Sequence, residues 1–396
     1  MRSVISNHDY YMSAADGTTK EGEFEMEVKF YKIIGTDNRR FGFAVIHAAY
    51  KGKWVFVRHK DRNTWEIPGG HREANEDIDA TASRELYEET GAVEYEVEQV
   101  CDYSVTKDGA TTFGRLFYAG ITELGQLPES EIKEIRLMKE MPESLTYPDI
   151  QPQLHRRVLE YLWEKALRLL ENDKARNINM INFIKNYPVH WVDTAGESVL
   201  IRGRSDEEWV YISSKSEVEF RQLIQGLDEE DKCFAVLEDW MLPYIVKGRE
   251  IRSQLTSIKL VYDKKIPLPH GNSNVVSLSV KDAPYIYENS KYKEYISVEY
   301  IEERISNGIG LGIYRDKKPV AWAITHDDGA IGFLNVLEEY RRKGYGTDVT
   351  VAMVKKMLEL GKVPFVHIEE ENEKSMNLAL KTGFRKDRRI HWIKFS

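Results

Sequence analysis

The sequence predicts an α/β protein, α+β in layout, with a mixed sheet in each of at least two units. Three observations carry this. The chain has 396 residues, more than one typical domain holds, so two or three domains are expected. Its first part reads as three strands, a helix and more strands, a pattern that lays helices over a mixed sheet. Its last part reads as three strands, a glycine-rich turn, a helix, a strand and a further helix.

Taken in order, residues 26–34 and 42–49 read as strands after a polar start. Residues 53–59 follow a Lys-Gly turn with the alternation of a half-buried strand. Trp65-Glu66-Ile67 leads into the turn Pro68-Gly69-Gly70. A helix from about Ile78 buries Ile78, Ala82 and Leu86 at i, i+4 and i+8, and Gly91 supplies the left-handed residue that stops it. Residues 95–105 and 112–121, rich in Val, Tyr and Phe, are two more strands. Residues 150–170 place Leu154, Val158, Leu162, Ala166 and Leu170 at helical spacing, as the closing helix of the first unit. The polar run 171–177 is expected to be a linker. Residues 179–269 carry strands and helices, the latter at 217–226 and 238–246, but no readable motif. Pro267 to Asn272 is a turn-rich junction. Strands are then expected at 310–315, 319–324 and 331–336, a helix at 347–360, a strand at 364–368 and a helix at 373–381.

The first helix carries chemistry. Glu85, Glu88 and Glu89 share one flank, clear of the apolar stripe. Carboxylates that converge repel one another unless a cation lies between them, and hard oxygen ligands suit Mg²⁺ or Mn²⁺. The bland alternative is a solvated acidic face with Gly91 as an ordinary cap. Spacing decides between them. The pattern G-x5-E-x7-R-E-U-x-E-E-x-G-U is met at every fixed position by Gly70, Glu76, Arg84, Glu85, Leu86, Glu88, Glu89, Gly91 and Ala92.

This stretch resembles the Nudix box of Nudix hydrolases, broadly the MutT-like group. The resemblance implies an α/β/α sandwich with a mixed sheet, and hydrolysis of a nucleoside diphosphate linked to another group. It implies a metal held by Glu85, Glu88 and Glu89, with Gly69 or Gly70 offering a backbone carbonyl. Glu88 or Glu89 is then ligand and base, unless the base is a loop residue such as Glu131 or Glu134, and Arg84 orients the glutamates. No coenzyme-A-hydrolase signature precedes the box. The ADP-ribose-type proline and the dinucleoside-polyphosphate-type tyrosine are missing near Thr106. Elimination favours a MutT-like nucleoside triphosphate, with an oxidised base left open.

A second signal lies at Arg341-Arg342-Lys343-Gly344-Tyr345-Gly346-Thr347. Between a strand and a helix, such glycines let the backbone approach a pyrophosphate, and the new helix offers unpaired N–H groups at its positive end. Arg341 and Arg342 add cationic donors. A structural turn is the bland reading. Arg341, Gly344 and Gly346, followed by Asn372, Ser375, Leu378, Lys381, Gly383 and Phe384, resemble the coenzyme-A loop and the ending of GNAT-type N-acetyltransferases. The resemblance runs from about Val298 and implies a mixed sheet flanked by helices. It also implies acetyl-CoA held by Arg341, Arg342, Gly344, Tyr345, Gly346, Thr347 and Asn372, and acyl transfer to an amine the sequence does not name. One departure stands out: Ala379 occupies the position of the tyrosine that many of these enzymes use as general acid. His326, Asp327 and Glu338 lie near strands that could supply a base.

These readings divide the chain into 1–172, a Nudix-like unit, 173–270, and 271–396, a GNAT-like acetyl-CoA-binding unit. The middle segment is an uncharacterised α/β stretch or a degenerate first half of the acyltransferase, as in glycine N-acyltransferase-like proteins. A formal net charge of −9 argues against non-specific nucleic-acid binding. The two cysteines, Cys101 and Cys233, suggest neither a disulfide framework nor a metal cluster. The start of the sequence has no apolar h-region, and no run of apolar residues is long enough to span a membrane. A cytoplasmic enzyme with two activities is therefore expected, a metal-dependent nucleotide hydrolase and an acetyl-CoA-dependent N-acyltransferase. The alternative keeps the hydrolase and makes the GNAT-like part a non-catalytic coenzyme-A-binding regulator.

Overall fold

The computed structural model describes residues 26–33, 40–290, 293 and 296–396. In the first unit, strands β1 (Glu27–Tyr31), β2 (Phe43–Tyr50), β3 (Lys53–His59), β4 (Gly69–His71), β5 (Ala92–Lys107), β6 (Ala110–Leu124) and β7 (Ile132–Met138) form one sheet. Their order is β1-β5-β6-β2-β3-β7, with β4 paired to β2. β2 runs parallel to β6 and the other pairings are antiparallel, so the sheet is mixed. Side-chain alternation splits it between two helices. Ala44, Ile46 and Ala48 of β2 meet Ile78, Ala82 and Leu86 of α1 (Ile78–Thr90). Ala49, Trp54 and Phe56 pack on the other side with Leu154, Val158 and Leu162 of α2 (Gln151–Glu171). Helix, sheet and helix make the expected sandwich. The strand expected at 26–34 is β1, and Ile34 lies outside the described residues. β7 escaped the sequence because IKEIRLM alternates weakly.

The run 171–177, expected as a linker, is mostly helical. α2 ends at Glu171 and α3 (Lys174–Asn186) starts three residues later. Asp173 caps α3 by accepting from the Arg176 N–H, and Asn177 Nδ2 donates to the Leu170 carbonyl at 2.9 Å. Polar residues mark a capped helix junction here.

The remaining strands form a second sheet. They are β8 (Val189–Ala195), β9 (Ser198–Arg204), β10 (Glu208–Ser213), β11 (Cys233–Leu237), β12 (Ile251–Tyr262), β13 (Val276–Ser277), β14 (Gly310–Arg315), β15 (Lys318–Thr325), β16 (Ile331–Val336), β17 (Phe365–Ile368) and β18 (Phe384–Phe395). Their order, β13-β14-β15-β16-β17-β12-β18-β11-β10-β9-β8, reads as two mirrored series about the β12–β18 pair. In one series β10 and β11 run parallel across α4 (Glu217–Leu223). The short α5 (Leu242–Ile245) then leads into β12. After α6 (Ala283–Glu288) and α7 (Val298–Asn307), the other series repeats the plan. There β16 and β17 run parallel across α8 (Tyr345–Glu359), and α9 (Glu373–Lys381) leads into β18. Each series is closed by the other's last strand, because β12 pairs with β17 and β18 pairs with β11.

The first unit and residues 189–245 share one core, which runs from Trp54 and Leu162 to Trp191, Phe220 and Phe234. A separate cluster fills the space beneath α8, around Val349, Met353 and Phe384. Cys101 and Cys233 are both buried and unbridged. Among the described residues, no helix is long and apolar enough to cross a membrane.

Candidate functional site

The Pro68–Gly70 turn and α1 build the first site. Asp77 caps the helix start, and Gly91, at φ 71°, ends it with its N–H on the Tyr87 carbonyl. Between these caps, Glu85 and Glu89 do not lie on a solvated face. They are only 7% and 9% exposed, pressed against the glycine turn, whereas the Glu88 side chain is 47% exposed. A Cβ on Gly70 would sit 2.2 Å from the Glu85 carboxyl carbon, so a larger residue there would displace that carboxylate. The Gly69 N–H donates to Glu89 Oε2 at 2.8 Å.

Arg84 organises the cluster. Its Nη1 donates to Glu85 Oε1 at 2.8 Å and Glu88 Oε2 at 3.1 Å, and its Nε and Nη2 hold Glu76 at 2.8 and 3.0 Å. Its Nη2 also reaches the His71 carbonyl at 3.0 Å. Hydrogen bonding from Arg84, helped by the Glu73 N–H and Thr81, holds the Glu76 carboxyl at about 2. Glu89 goes the other way: burial pushes it up to about 8, and nearby Glu85, Glu66 and Glu131 add to the push. Burial also raises Glu85 despite Arg84.

The carboxylates are gathered but not closed into a cage. Among the described residues no group of three or more His, Cys, Asp or Glu side chains is assembled to hold a metal. Glu85 and Glu88 turn to Arg84, and Glu89 turns to Gly69. The donor chemistry nonetheless fits a hard dication, because Glu85, Glu88 and Glu89 present only hard carboxylate oxygens beside the Gly69–Gly70 turn. Of the two alternative bases, Glu131 is near enough for its charge to raise the pKa of Glu85 and Glu89. Glu134 lies on β7 in an ion pair with Arg58. Sequence reasoning missed Glu66, which also faces Glu89 and which accepts from Arg62 at 2.5 Å and from Thr146 at 3.0 Å. Its position three residues ahead of Gly69 was the available signal.

The second site lies where α8 begins. Gly344 takes φ 83° at the helix N-cap, with no side-chain cap over the first turn of Tyr345, Gly346 and Thr347. A Cβ on Gly344 would meet nothing within 4 Å, and Arg341, Arg342 and Lys343 are exposed beside it. The helix starts two residues before the expected Thr347, because the left-handed Gly344 turns the chain directly into it. Alongside, β16 and β17 share one register pair, Ile331↔Val366, whereas β10 and β11 share three. The ladder is open beside α8 and closed in the mirrored series. Arg341 Nε donates to the Val336 carbonyl at 3.2 Å, and Arg315 Nη2 donates to the Tyr345 hydroxyl at 2.9 Å. The Asn372 carboxamide caps α9 by accepting from the Ser375 N–H at 3.1 Å.

The residues considered as a base there separate clearly. Glu338 is exposed beside Arg341. His326 is packed against Phe333, with a ring separation of 4.6 Å, and burial lowers its pKa. Asp327 accepts from Ser205 Oγ at 2.6 Å and next to it Asp328 accepts from Asn179 Nδ2 at 2.7 Å. These aspartates tie the two series together. Ala379, on the buried face of α9, is 4% exposed.

Comparison with known proteins follows the same division. The NUDIX domain model matches residues 38–162, and the FR47-like protein model matches residues 310–393. YtkD of Bacillus subtilis (strain 168), a candidate 8-oxo-dGTP diphosphatase, is 30% identical over 139 residues, covering 35% of this chain and 79% of YtkD. The solved Bacillus subtilis pyrophosphohydrolase BsRppH is 24% identical, over 34% of this chain and 90% of its own, with a TM-score of 0.30. A GCN5-related N-acetyltransferase-like protein from Streptococcus suis is 14% identical, over 60% of this chain and 99% of its own, with a TM-score of 0.36. With its box intact on α1 and a relative this similar over most of that relative's length, the chain belongs to the Nudix hydrolase family of enzymes and carries an FR47-like, GNAT-type domain behind it.

Proposed function

We propose that the first unit hydrolyses a nucleoside diphosphate linked to a further group, most simply a nucleoside triphosphate, in the manner of MutT-like enzymes. The observation that carries the reading is the pair of buried carboxylates, Glu85 and Glu89, held against the Gly69–Gly70 turn and steadied by Arg84. YtkD's name points to the same substrate class. Glu85, Glu88 and Glu89 would hold Mg²⁺ or Mn²⁺, with Gly69 alongside. When bound, such an ion neutralises diphosphate charge and acidifies the attacking water. Arg84 keeps the glutamates aimed. The exposed Glu88, or Glu89 in its ionised form, accepts the proton of that water, and the charge of Glu131 acts on the same cluster. The experiment is a screen of nucleoside-diphosphate derivatives with Mg²⁺ against Glu88→Gln. Equal turnover by both proteins, or none by either, removes the reading.

The second unit, within 271–396, is read as an acetyl-CoA site. The uncapped first turn of α8, the open ladder between β16 and β17, and the exposed Arg341 and Arg342 support it. The mirrored strand order supports reading 173–270 as a degenerate first half of that unit. Transfer to an amine is the fuller reading. Binding without transfer is favoured by one observation, the buried Ala379 in place of an acid.

A further inference from the structure

A cavity at the junction of the first unit with residues 189–245 belongs to neither site described above. About 70 Å³ in volume, it lies where the end of β2, β5 and β6 meet β8 and the end of α4. Gly52 and Gly226, whose backbones touch, both line it. The space admits about five water molecules, or the head of a small ligand. Its polar lining is incomplete. The Tyr118 side chain is 4% exposed, with its ring against Trp54. Its hydroxyl has no hydrogen-bond partner among the described residues, and Gly120, also on the cavity wall, would bring a Cβ only 3.8 Å from that oxygen. Across the junction, Asp193 of β8 lines the same cavity, and its charge acts on the Tyr118 hydroxyl. Asp193 Oδ1 accepts the Thr194 N–H at 2.9 Å, and the carboxylate forms no ion pair among the described residues. The two cations whose charge reaches it are committed elsewhere. Arg202 is clasped by Asp231 at 2.7 and 3.0 Å, and Lys165 donates to Glu98 at 2.6 Å. Burial accordingly pushes the Asp193 carboxyl up to about 6.

A buried hydroxyl without a partner and a carboxylate without a countercharge both cost free energy until something satisfies them. Water serves the hydroxyl but not the charge. A hard metal ion needs several free carboxylate oxygens, and both oxygens of Glu98 are taken, by Lys165 and by the Tyr161 hydroxyl at 2.8 Å. Lys51, the one cation on the wall, lies over the Tyr50 ring, 5.0 Å from its centre. An organic cation that donates hydrogen bonds meets both needs, and a primary ammonium brings three donors on an apolar stem. We infer that this cavity is a site for a small aliphatic amine, held with its ammonium between the Asp193 carboxylate and the Tyr118 hydroxyl. The site is independent of both proposed activities. A ligand there touches the first unit and β8 together, so it fastens the junction.

Calorimetric titration of the full chain with n-butylamine tests it, with n-butanol as the uncharged control of matching shape. Wild type should bind butylamine at one saturable site and butanol not at all, and butylamine should raise the melting temperature. Asp193→Asn keeps the shape and removes the charge, so it should weaken butylamine by at least about tenfold. Tyr118→Phe removes the hydroxyl alone and should weaken it about threefold. Melting curves without ligand show that each variant is folded, and Tyr118→Phe carries the test if Asp193→Asn melts early. The inference is overturned if wild type binds no butylamine, if butanol binds as well as butylamine, or if either folded variant binds butylamine like wild type. That last outcome would assign the amine to another site, such as an acceptor site in the second unit.

Discussion

Glu89 Oε2 accepts the backbone N–H of Gly69 at 2.8 Å, so the last turn of α1 is latched to the glycine turn it faces. On the proposed reading, replacing the carboxyl by an amide keeps the shape and removes an oxygen that would hold the metal and could take a proton. Glu89→Gln should therefore lower nucleotide hydrolysis by a factor of about 10²–10⁴. Its melting temperature should not fall, because the carboxylate is buried at a cost. Steady-state kinetics with a matched melting curve check both.

Glu76 supplies the acid sensitivity of the same region. Its folded pKa, about 2, lies below its ordinary 4.5, so its contribution to stability is complete above pH 4.5 and is lost as pH falls from 4.5 toward 2. Glu76→Gln should cost about 1–2 kcal/mol at pH 6, and the gap to wild type should shrink steadily toward pH 3. Melting curves of both proteins across that range read the difference.

Gly344 separates a cofactor site from a structural turn. At φ 83°, any side chain costs about 1–2 kcal/mol of backbone strain, although open space surrounds the position. Gly344→Glu also places a negative charge where a pyrophosphate would lie. Calorimetry should show acetyl-CoA binding to wild type and none to the variant, with the first unit's hydrolysis unchanged.

Filling the tyrosine position should fail to improve transfer. Ala379 is buried among α9 and the strands beneath it, so Ala379→Tyr overpacks that core and should destabilise by about 1–3 kcal/mol. A lower melting temperature without faster thiol release over an amine panel is the expected result. Faster release would mean that the pocket can open.

The junction between the units is equally tight. A Cβ on Gly226 would lie 2.8 Å from the Gly52 nitrogen, and one on Gly52 would lie 2.4 Å from the Gly226 carbonyl oxygen. Gly226→Val should separate these backbones and cost about 2 kcal/mol. Calorimetry should show the wild type melting in one transition and the variant in two.

The sequence exposed what is local and hid what is long-range. The box helix was legible because its caps, apolar stripe and carboxylates all fall between Gly70 and Ala92. The α8 turn was legible for the same reason, with Gly344 beside its arginines. The setting of Glu66 was not, since the Trp65↔Leu145 bridge that brings Thr146 onto it joins residues far apart in the chain. β12 was hidden by polar residues, Ser253, Gln254 and Thr256 among them, that only its neighbours β17 and β18 explain. The run after Glu171 misled because helix-capping residues and linker residues are the same residue types.

The crossing of β12 and β18 sets an order of events during synthesis. β11 leaves the ribosome about 150 residues before β18, the strand that covers its edge. Until Phe384–Phe395 emerges, β11 and β12 each keep an unpaired edge, and that nascent state is the stage at which a chaperone has most to protect.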